Sequence, residues 1–314
     1  MNEFSKEKFM AYLLLIVGMV LLIKGADFFV DGSASIAKAL KVPSVIIGLT
    51  IVALGTSLPE ASVSITAGLA GNNALALSNV VGSNIFNTLV VVGCSALIAP
   101  FLMDSQILKR DLPINILVSV LLVIFVLDGN LSRIEGIIFL VCLGAYIFSL
   151  IKAALKSRQD EVQEKALSVP VSLVCIVVGV VAIIWGGNLV VNNATVIAQQ
   201  LGWSDTLIGL TIVSIGTSLP ELVTSIVAAK KGESGLSLGN AIGSNIMNVL
   251  FILGASATLH PIAATIENIV DAIILIGVAV YMLIIAKKSE KMTRSKACLS
   301  IGLYAAYMIY ILIR

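Results

Sequence analysis

The sequence predicts an all-α polytopic membrane protein, built as ten transmembrane helices in two inverted five-helix repeats with both termini outside. Three observations carry that expectation: an apolar composition, a segregation of basic residues between alternate loops, and a segment that occurs twice. Of the 314 residues 58% are hydrophobic and 12% charged, whereas a soluble chain runs to about half apolar and a quarter charged. A spanning helix takes about 20 apolar residues, so ten would use about 200. No long polar stretch remains for a soluble domain. The net charge of +2 gives no sign of a nucleic-acid partner.

Apolar runs separated by polar breaks place the spans at 10–37, 43–69, 75–99, 112–127, 134–153, 169–198, 206–229, 236–259, 268–286 and 298–313. The first, second, sixth and seventh are long enough to need tilt or a break. Lys152 to Lys165 is the longest polar stretch and divides the chain into a first repeat (1–153), a linker (154–168) and a second repeat (169–314). Met1 to Lys8 mixes acidic and basic residues before a long span, which reads as a mature start and not a cleaved signal. Cys94, Cys142, Cys175 and Cys298 are isolated in apolar runs, with no metal-ligand spacing, and read as small buried hydrophobes.

Ten spans put both termini on one side. That side carries Lys6, Lys8, Arg133 and Arg314, while fifteen Lys and Arg fall on the other and Lys24 lies within the first span. The basic side is expected to be cytoplasmic, which makes the linker cytoplasmic and the termini extracellular in a cell membrane.

Gly48 to Glu60 reads GLTIVALGTSLPE and Gly209 to Glu221 reads GLTIVSIGTSLPE, eleven of thirteen positions identical at an offset of 161. The offset continues through Gly82-Ser83-Asn84-Ile85-Phe86-Asn87 and Gly243-Ser244-Asn245-Ile246-Met247-Asn248, with 23 of 40 positions shared. It also pairs Gly18 with Gly179 and Gly25 with Gly186. The copies start five spans apart, an odd number, so the copies lie in opposite orientations. Inverted repeats are a transporter architecture whose site lies near the midplane.

Within the repeat, Glu60 and Glu221 place a carboxylate in the middle of an apolar span, at a cost of several kcal/mol unless partnered. No basic residue lies in the second, third, seventh or eighth span. Pro59 and Pro220 have no N–H, so the carbonyls of Gly55 and Gly216 lose their helical donors, and carbonyls around Ala53 to Thr56 and Ser214 to Thr217 can face a cation. Thr56 and Ser57, four and three residues before Glu60, share its helical face, and Thr217 and Ser218 do the same for Glu221. Ser83 with Asn87, and Ser244 with Asn248, are spaced i, i+4. This all-oxygen set, with no imidazole or thiolate, suits hard cations such as Ca²⁺ or Na⁺ and not Zn²⁺ or Cu²⁺. Two carboxylates balance one Ca²⁺.

The paired GTSLPE and GSNIFN/GSNIMN segments resemble the alpha-repeats of the sodium/calcium exchanger family, and the resemblance covers nearly the whole chain. It implies an antiporter of alternating access that exchanges Na⁺ for Ca²⁺, with four clustered cation sites. By position, Glu60 and Glu221 resemble its acidic Ca²⁺ ligands. Thr56 and Thr217 match ligands acting partly through their carbonyls, and Ala53 and Ser214 match carbonyl contributors. Ser57, Ser218, Ser83 and Ser244 match Na⁺ ligands, and Asn87 and Asn248 take the polar central positions. Potassium-dependent relatives carry Asp where Asn248 stands, which argues against K⁺ co-transport. Proton-coupled members have a GNxxE-like motif in place of GTSLPE, which favours Na⁺ coupling. The large regulatory loop of eukaryotic members is replaced here by Lys152 to Lys165.

The expected partners are Ca²⁺, Na⁺ and the lipid bilayer, with no cofactor and no nucleic acid, and a monomer is compatible with the pattern. A Ca²⁺ channel and an H⁺-coupled antiporter are the alternatives, and no nucleophile–base set or phosphate loop supports an enzyme. Lys24, Asp27 and Asp31 in the first span read as a Lys–Asp pair inside the bundle, or as part of a gate. Their repeat counterparts are the neutral Trp185, Asn188 and Asn192. Asn72, Asn73 and Glu233 are expected in short solvated loops, and His260 at the surface.

Overall fold

The computed structural model describes residues 3–69, 73–156, 166–203, 212 and 214–313. Long apolar segments become helices because a helix satisfies every backbone group internally, as hydrocarbon requires. In order they are α1 (Glu3–Leu40), α2 (Ser44–Thr56), α3 (Leu58–Leu69), α4 (73–98), α5 (Leu112–Val126), α6 (Arg133–Lys156), α7 (Val169–Gln200), α8 (Ser214–Gly216), α9 (Leu219–Lys230), α10 (Ser234–Leu259), α11 (Ile266–Lys288) and α12 (Arg294–Ile313). Seven of the described helices are long and apolar enough to cross a membrane, and α2 with α3 makes an eighth if the bent pair is one span. The expected seventh span begins at 206–211 and 213, outside the described residues, as do most of the linker (157–165) and Asn72. Asn73 opens α4 instead of sitting in a loop.

The expected all-α class needs one small amendment. Two-residue strands pair antiparallel in the loops, β1 (Phe101–Leu102) with β4 (Lys291–Met292) and β2 (Asn130–Leu131) with β3 (Ile262–Ala263). The first ladder is extended by Met103 N–H to the Glu290 carbonyl at 2.6 Å, the second by Ala264 N–H to the Gly129 carbonyl at 2.8 Å. Each ladder satisfies extended backbone outside the helices and clips a loop of one half to a loop of the other.

Tight helix contacts depend on glycine. A Cβ built on Gly25 would stand 2.9 Å from the Gly179 carbonyl, one on Gly186 2.7 Å from the Gly18 carbonyl, and one on Gly32 2.6 Å from the Ser172 carbonyl. As one partner rises by seven residues the other falls by seven, so α1 and α7 run antiparallel with backbones in near contact. On α10, Gly239 and Gly243 approach Gly48 and Leu49 of α2, again closer than a side chain allows. Small residues at such crossings let dispersion act between whole helices where no hydrophobic drive exists.

Burial locates the centre. The apolar windows of α4 and α10 are 72% and 78% buried, against 33% or less in the other long helices. Large apolar side chains on the rest face outward in helical rows, such as Phe9, Leu13, Ile16 and Val20 on α1 and Val174, Val177, Val181 and Trp185 on α7. The cysteines follow this pattern. Cys298 is exposed and the other three are half-buried, so they are not core residues as the sequence suggested, and none forms a disulfide.

The α1–α7 contact yields a test. Gly25→Leu would drive a side chain into the Gly179 backbone, whereas Gly277→Leu on α11 meets open space. Overpacking of this kind is expected to lower the melting temperature in detergent by about 5 °C or more for Gly25→Leu. Equal melting of both variants and the parent would refute the close crossing.

Candidate cation site

The two helix breaks build the site. α2 ends at Thr56, Ser57 leaves the helical region (φ −81°, ψ 5°), and α3 starts at Leu58, bending the pair by 48°. Pro59 supplies no N–H to the Gly55 carbonyl, and its fixed φ suits the first turn of the new helix. Ser218 (φ −91°, ψ 5°) and Pro220 repeat this between α8 and α9. One detail differs from expectation. The Ala53 carbonyl is not freed, since it accepts the Ser57 N–H at 3.1 Å and also lies 3.4 Å from Ser244 Oγ.

Glu60 and Glu221, in the first turns of α3 and α9, are fully buried. Each is held by the serine of the other break: Ser57 Oγ donates to Glu221 Oε1 at 3.0 Å, and Ser218 Oγ donates to Glu60 Oε1 at 3.1 Å. Ser218 also lies 3.0 Å from Ser83 Oγ, and Ser244 Oγ lies 3.5 Å from Glu221 Oε1. Ten of the twelve residues expected at the site, Ala53, Thr56, Ser57, Glu60, Ser83, Asn87, Ser218, Glu221, Ser244 and Asn248, are buried. Thr217 is half-buried, and Ser214 contributes its backbone to α8 while its side chain lies outside the described residues.

Several buried polar atoms of these residues are left without hydrogen-bond partners. They include Glu60 Oε2, Glu221 Oε2, both amide atoms of Asn87 and Asn248 Oδ1. Orphaned buried oxygens are uncommon and costly. The ion pairs among the described residues, Lys24–Asp27, Arg110–Asp111 and Lys231 with Asp27 and Asp31, do not reach the glutamates. No group of three or more His, Cys, Asp or Glu assembles among the described residues. Two carboxylates amid hydroxyl, amide and carbonyl oxygens can take up a hard cation.

Sequence reasoning passed over Asn79 and Asn240. Asn240 Oδ1 accepts the Thr56 hydroxyl at 2.8 Å, while its Nδ2 donates to the Glu221 carbonyl at 3.2 Å and to Ser225 Oγ at 2.9 Å. The repeat-related set is Thr217 Oγ1 to Asn79 Oδ1 at 3.4 Å and Asn79 Nδ2 to Ser64 Oγ at 3.0 Å. The signal was present, because Asn79 and Asn240 obey the offset of 161 and precede Ser83 and Ser244 by four residues. Asn84, Asn245 and Thr88 form a further buried network linking α4 to α10. Immediately after the GSN motifs, π-helical turns begin at Asn87 and Asn248. Such turns rotate side chains out of the α register and are frequent at functional sites.

A cavity of about 400 Å³ borders the breaks, lined among others by Pro59, Ser62, Asn188, Asn192, Thr217 and Pro220. Its α7 residues lie beside the N-terminal half of α1, because Gly186 packs on Gly18. Lys24 and Asp27 are not inside the bundle. The Lys24 side chain is 69% exposed, and Lys231, just after α9, takes Asp31 at 2.8 Å and Asp27 at 3.3 Å. His260 is exposed, as expected.

Residues 10–152 and 171–313 match the family described as sodium/calcium exchanger protein. The chain is 42% identical to the putative antiporter CaxA of Alkalimonas amylolytica, over 80% of this chain and 81% of that one. It is 32% identical to the sodium/calcium exchanger MaX1 of Methanosarcina acetivorans, over 95% of this chain and 97% of that one. Among solved structures, the sodium-calcium exchanger NCX_Mj soaked with zero Na⁺ and Ca²⁺ superposes with a TM-score of 0.86 at 32% identity, covering 96% of this chain and 99% of that one.

Proposed function

The chain belongs to the sodium/calcium exchanger family, as a multi-pass membrane antiporter of Ca²⁺ and not an enzyme, and from that premise we propose that it exchanges Na⁺ for Ca²⁺ at Glu60 and Glu221. The observation that carries this reading is the pair of fully buried carboxylates, each with an oxygen lacking any partner, in a region without basic residues. Ca²⁺ lies between the two carboxylates, with neutral oxygens from the Thr56 and Thr217 carbonyls. Na⁺ ions use Ser57, Ser218, Ser83 and Ser244 with the carbonyl of Ser214 and the second lone pair of the Ala53 carbonyl, and Asn87 and Asn248 supply the polar middle.

Ten spans in two inverted repeats, 1–153 and 169–314 joined by a linker at 154–168, are supported by directions in the fold. α1 and its repeat counterpart α7 run antiparallel, as a repeat unit with an odd number of spans demands. The ladder β1–β4 joins two loops assigned to the basic side, and β2–β3 joins two assigned to the opposite side. The basic side is read as cytoplasmic, with both termini extracellular, and the protein as able to act as a monomer. Exchange follows because both carboxylates bare in a dry interior carry a desolvation penalty of many kcal/mol. The site therefore changes sides when loaded and not when empty.

Three expected outcomes test this reading. Glu60→Gln and Glu221→Gln each remove one of two charges facing a divalent ion, and each is expected to cut Ca²⁺ uptake into vesicles at least tenfold. Uptake near the parent rate in either variant refutes the ligand assignment. A cysteine at Gln159 is expected to label only from the cytoplasmic side, and labelling from outside overturns the orientation. Asn87 and Asn248 are uncharged, so three Na⁺ against one Ca²⁺ leave the loaded site at +1, and exchange moves one charge, worth about 2.3 kcal/mol per 100 mV. Na⁺-driven uptake into proteoliposomes clamped with K⁺ and valinomycin is expected to follow the imposed voltage. If only a pH gradient drives it, the coupling ion is H⁺.

A further inference from the structure

The two asparagines that sequence reasoning passed over occupy equivalent places in the repeats, yet their bonds are unequal. Thr56 donates to Asn240 at 2.8 Å in a buried contact, and Thr217 donates to Asn79 at 3.4 Å in a partly buried one. A well-formed O–H···O bond has its mode near 2.7–2.8 Å, so the first is at full strength and the second is stretched. The stretched member is the one that faces the cavity, since Thr217 lines it and Asn240, Ser225 and Thr56 do not. Both asparagines also donate to a serine, Asn240 to Ser225 at 2.9 Å and Asn79 to Ser64 at 3.0 Å, so that anchor is shared. The inequality at the threonines, within the breaks, is accompanied by a bond from Asn240 to the Glu221 carbonyl at 3.2 Å.

A threonine hydroxyl has one proton and two lone pairs. With its proton held by Asn240, Thr56 turns its lone pairs elsewhere, toward the space shared with Ser244 Oγ at 3.5 Å. Asn240 also grips the Glu221 carbonyl, so a single amide fixes a hydroxyl of one break and the backbone of the carboxylate in the other. In an inverted-repeat protein the two access states are approximate mirror images, so a contact tight in one half now is tight in the other half in the opposite state.

We propose that Asn240 and Asn79 are positioning residues acting as paired clamps on the two broken helices, with Asn240–Thr56 closed in the present state and Asn79–Thr217 closed in the opposite one. This rests on the exchange reading above. Each clamp stabilises one access state, so removing it shifts the population toward the other, and a single hydrogen bond corresponds to about a three- to tenfold change in that ratio. Neither asparagine needs to touch the ion.

The experiment measures the half-saturating Ca²⁺ concentration from each face, in right-side-out and everted membrane vesicles, for the parent, Asn240→Leu and Asn79→Leu. Asn240→Ser and Asn79→Ser are measured alongside, since a serine is too short to reach the threonine but keeps a polar group if leucine prevents folding. The two sites are expected to shift the inner-to-outer ratio of half-saturation in opposite directions, by about threefold or more each. A structural role alone lowers maximal rate, or moves both ratios the same way. Shifts of the same sign, or none, overturn the proposal. Failure of the parent to exchange Ca²⁺ against Na⁺ at all refutes the functional reading instead, and is visible before any variant is made.

Discussion

The structure turns on two negative charges placed where neither water nor a basic side chain can answer them. Glu60 and Glu221 are fully buried, and the charges nearest in type, Lys231 and Arg110, are committed to aspartates elsewhere. A serine hydroxyl on each carboxylate is a partial answer, because a neutral donor stabilises an anion without cancelling it. What remains, on the reading proposed above, is a socket whose charge the transported cation completes. The crossed arrangement matters: Ser57 follows the α2 break but serves Glu221, and Ser218 serves Glu60. Each carboxylate is thus tied to the break of the other repeat, so the two halves meet at the charged pair.

The rest of the fold can be read as support for that pair. A bare helix break in hydrocarbon would expose carbonyls to lipid, which is tolerated only inside protein or along a cavity. α4 and α10, the most buried helices, fill the middle and bring Ser83, Asn87, Ser244 and Asn248 against the breaks. Close approach of α10 to α2 needs Gly239 and Gly243, since any Cβ there would strike Val45, Gly48 or Leu49. Further out, α1 and α7 meet through their glycines with most of their large side chains turned to the exterior. That pair makes few polar ties to the centre. Among the described residues, Asp27 and Asp31 of α1 are held by Lys231, just after α9.

How much of this was legible depends on the range of the interaction. The breaks were legible because proline and glycine act locally: Pro59 withholds a donor from Gly55 wherever the helix packs. The oxygen set was legible because the offset of 161 duplicates it and helical spacing places it on one face. Asn79 and Asn240 carried the same two signals, extending the rows to 79-83-87 and 240-244-248. They were hidden by chemistry, since an asparagine eight residues before the central one looks like routine helix packing until its partner is known. The crossing of Ser57 to Glu221 was not legible in principle, because only the packing of two halves decides which carboxylate a serine meets. Lys24 misled for the opposite reason. Its i, i+3 spacing to Asp27 is real, yet a lysine on an outward face stays exposed, and a residue over 200 positions away takes the acid.

The difference between the two halves then becomes informative. The threonines and asparagines compared are identical in the two copies, so their unequal geometry reflects their surroundings and not their own chemistry. In the crossed serine bonds to the carboxylates the halves agree, at 3.0 and 3.1 Å. Around the threonines they disagree, 2.8 against 3.4 Å, on the side where the cavity reaches Thr217. The crossed serine bonds are thus alike in the two halves while the flanks differ, which fits the proposed site that faces two sides in turn without being rebuilt. In the proposed exchange, a carboxylate pair braced by crossed hydroxyls, between flanks that trade tight and loose contacts, would keep affinity comparable on both faces.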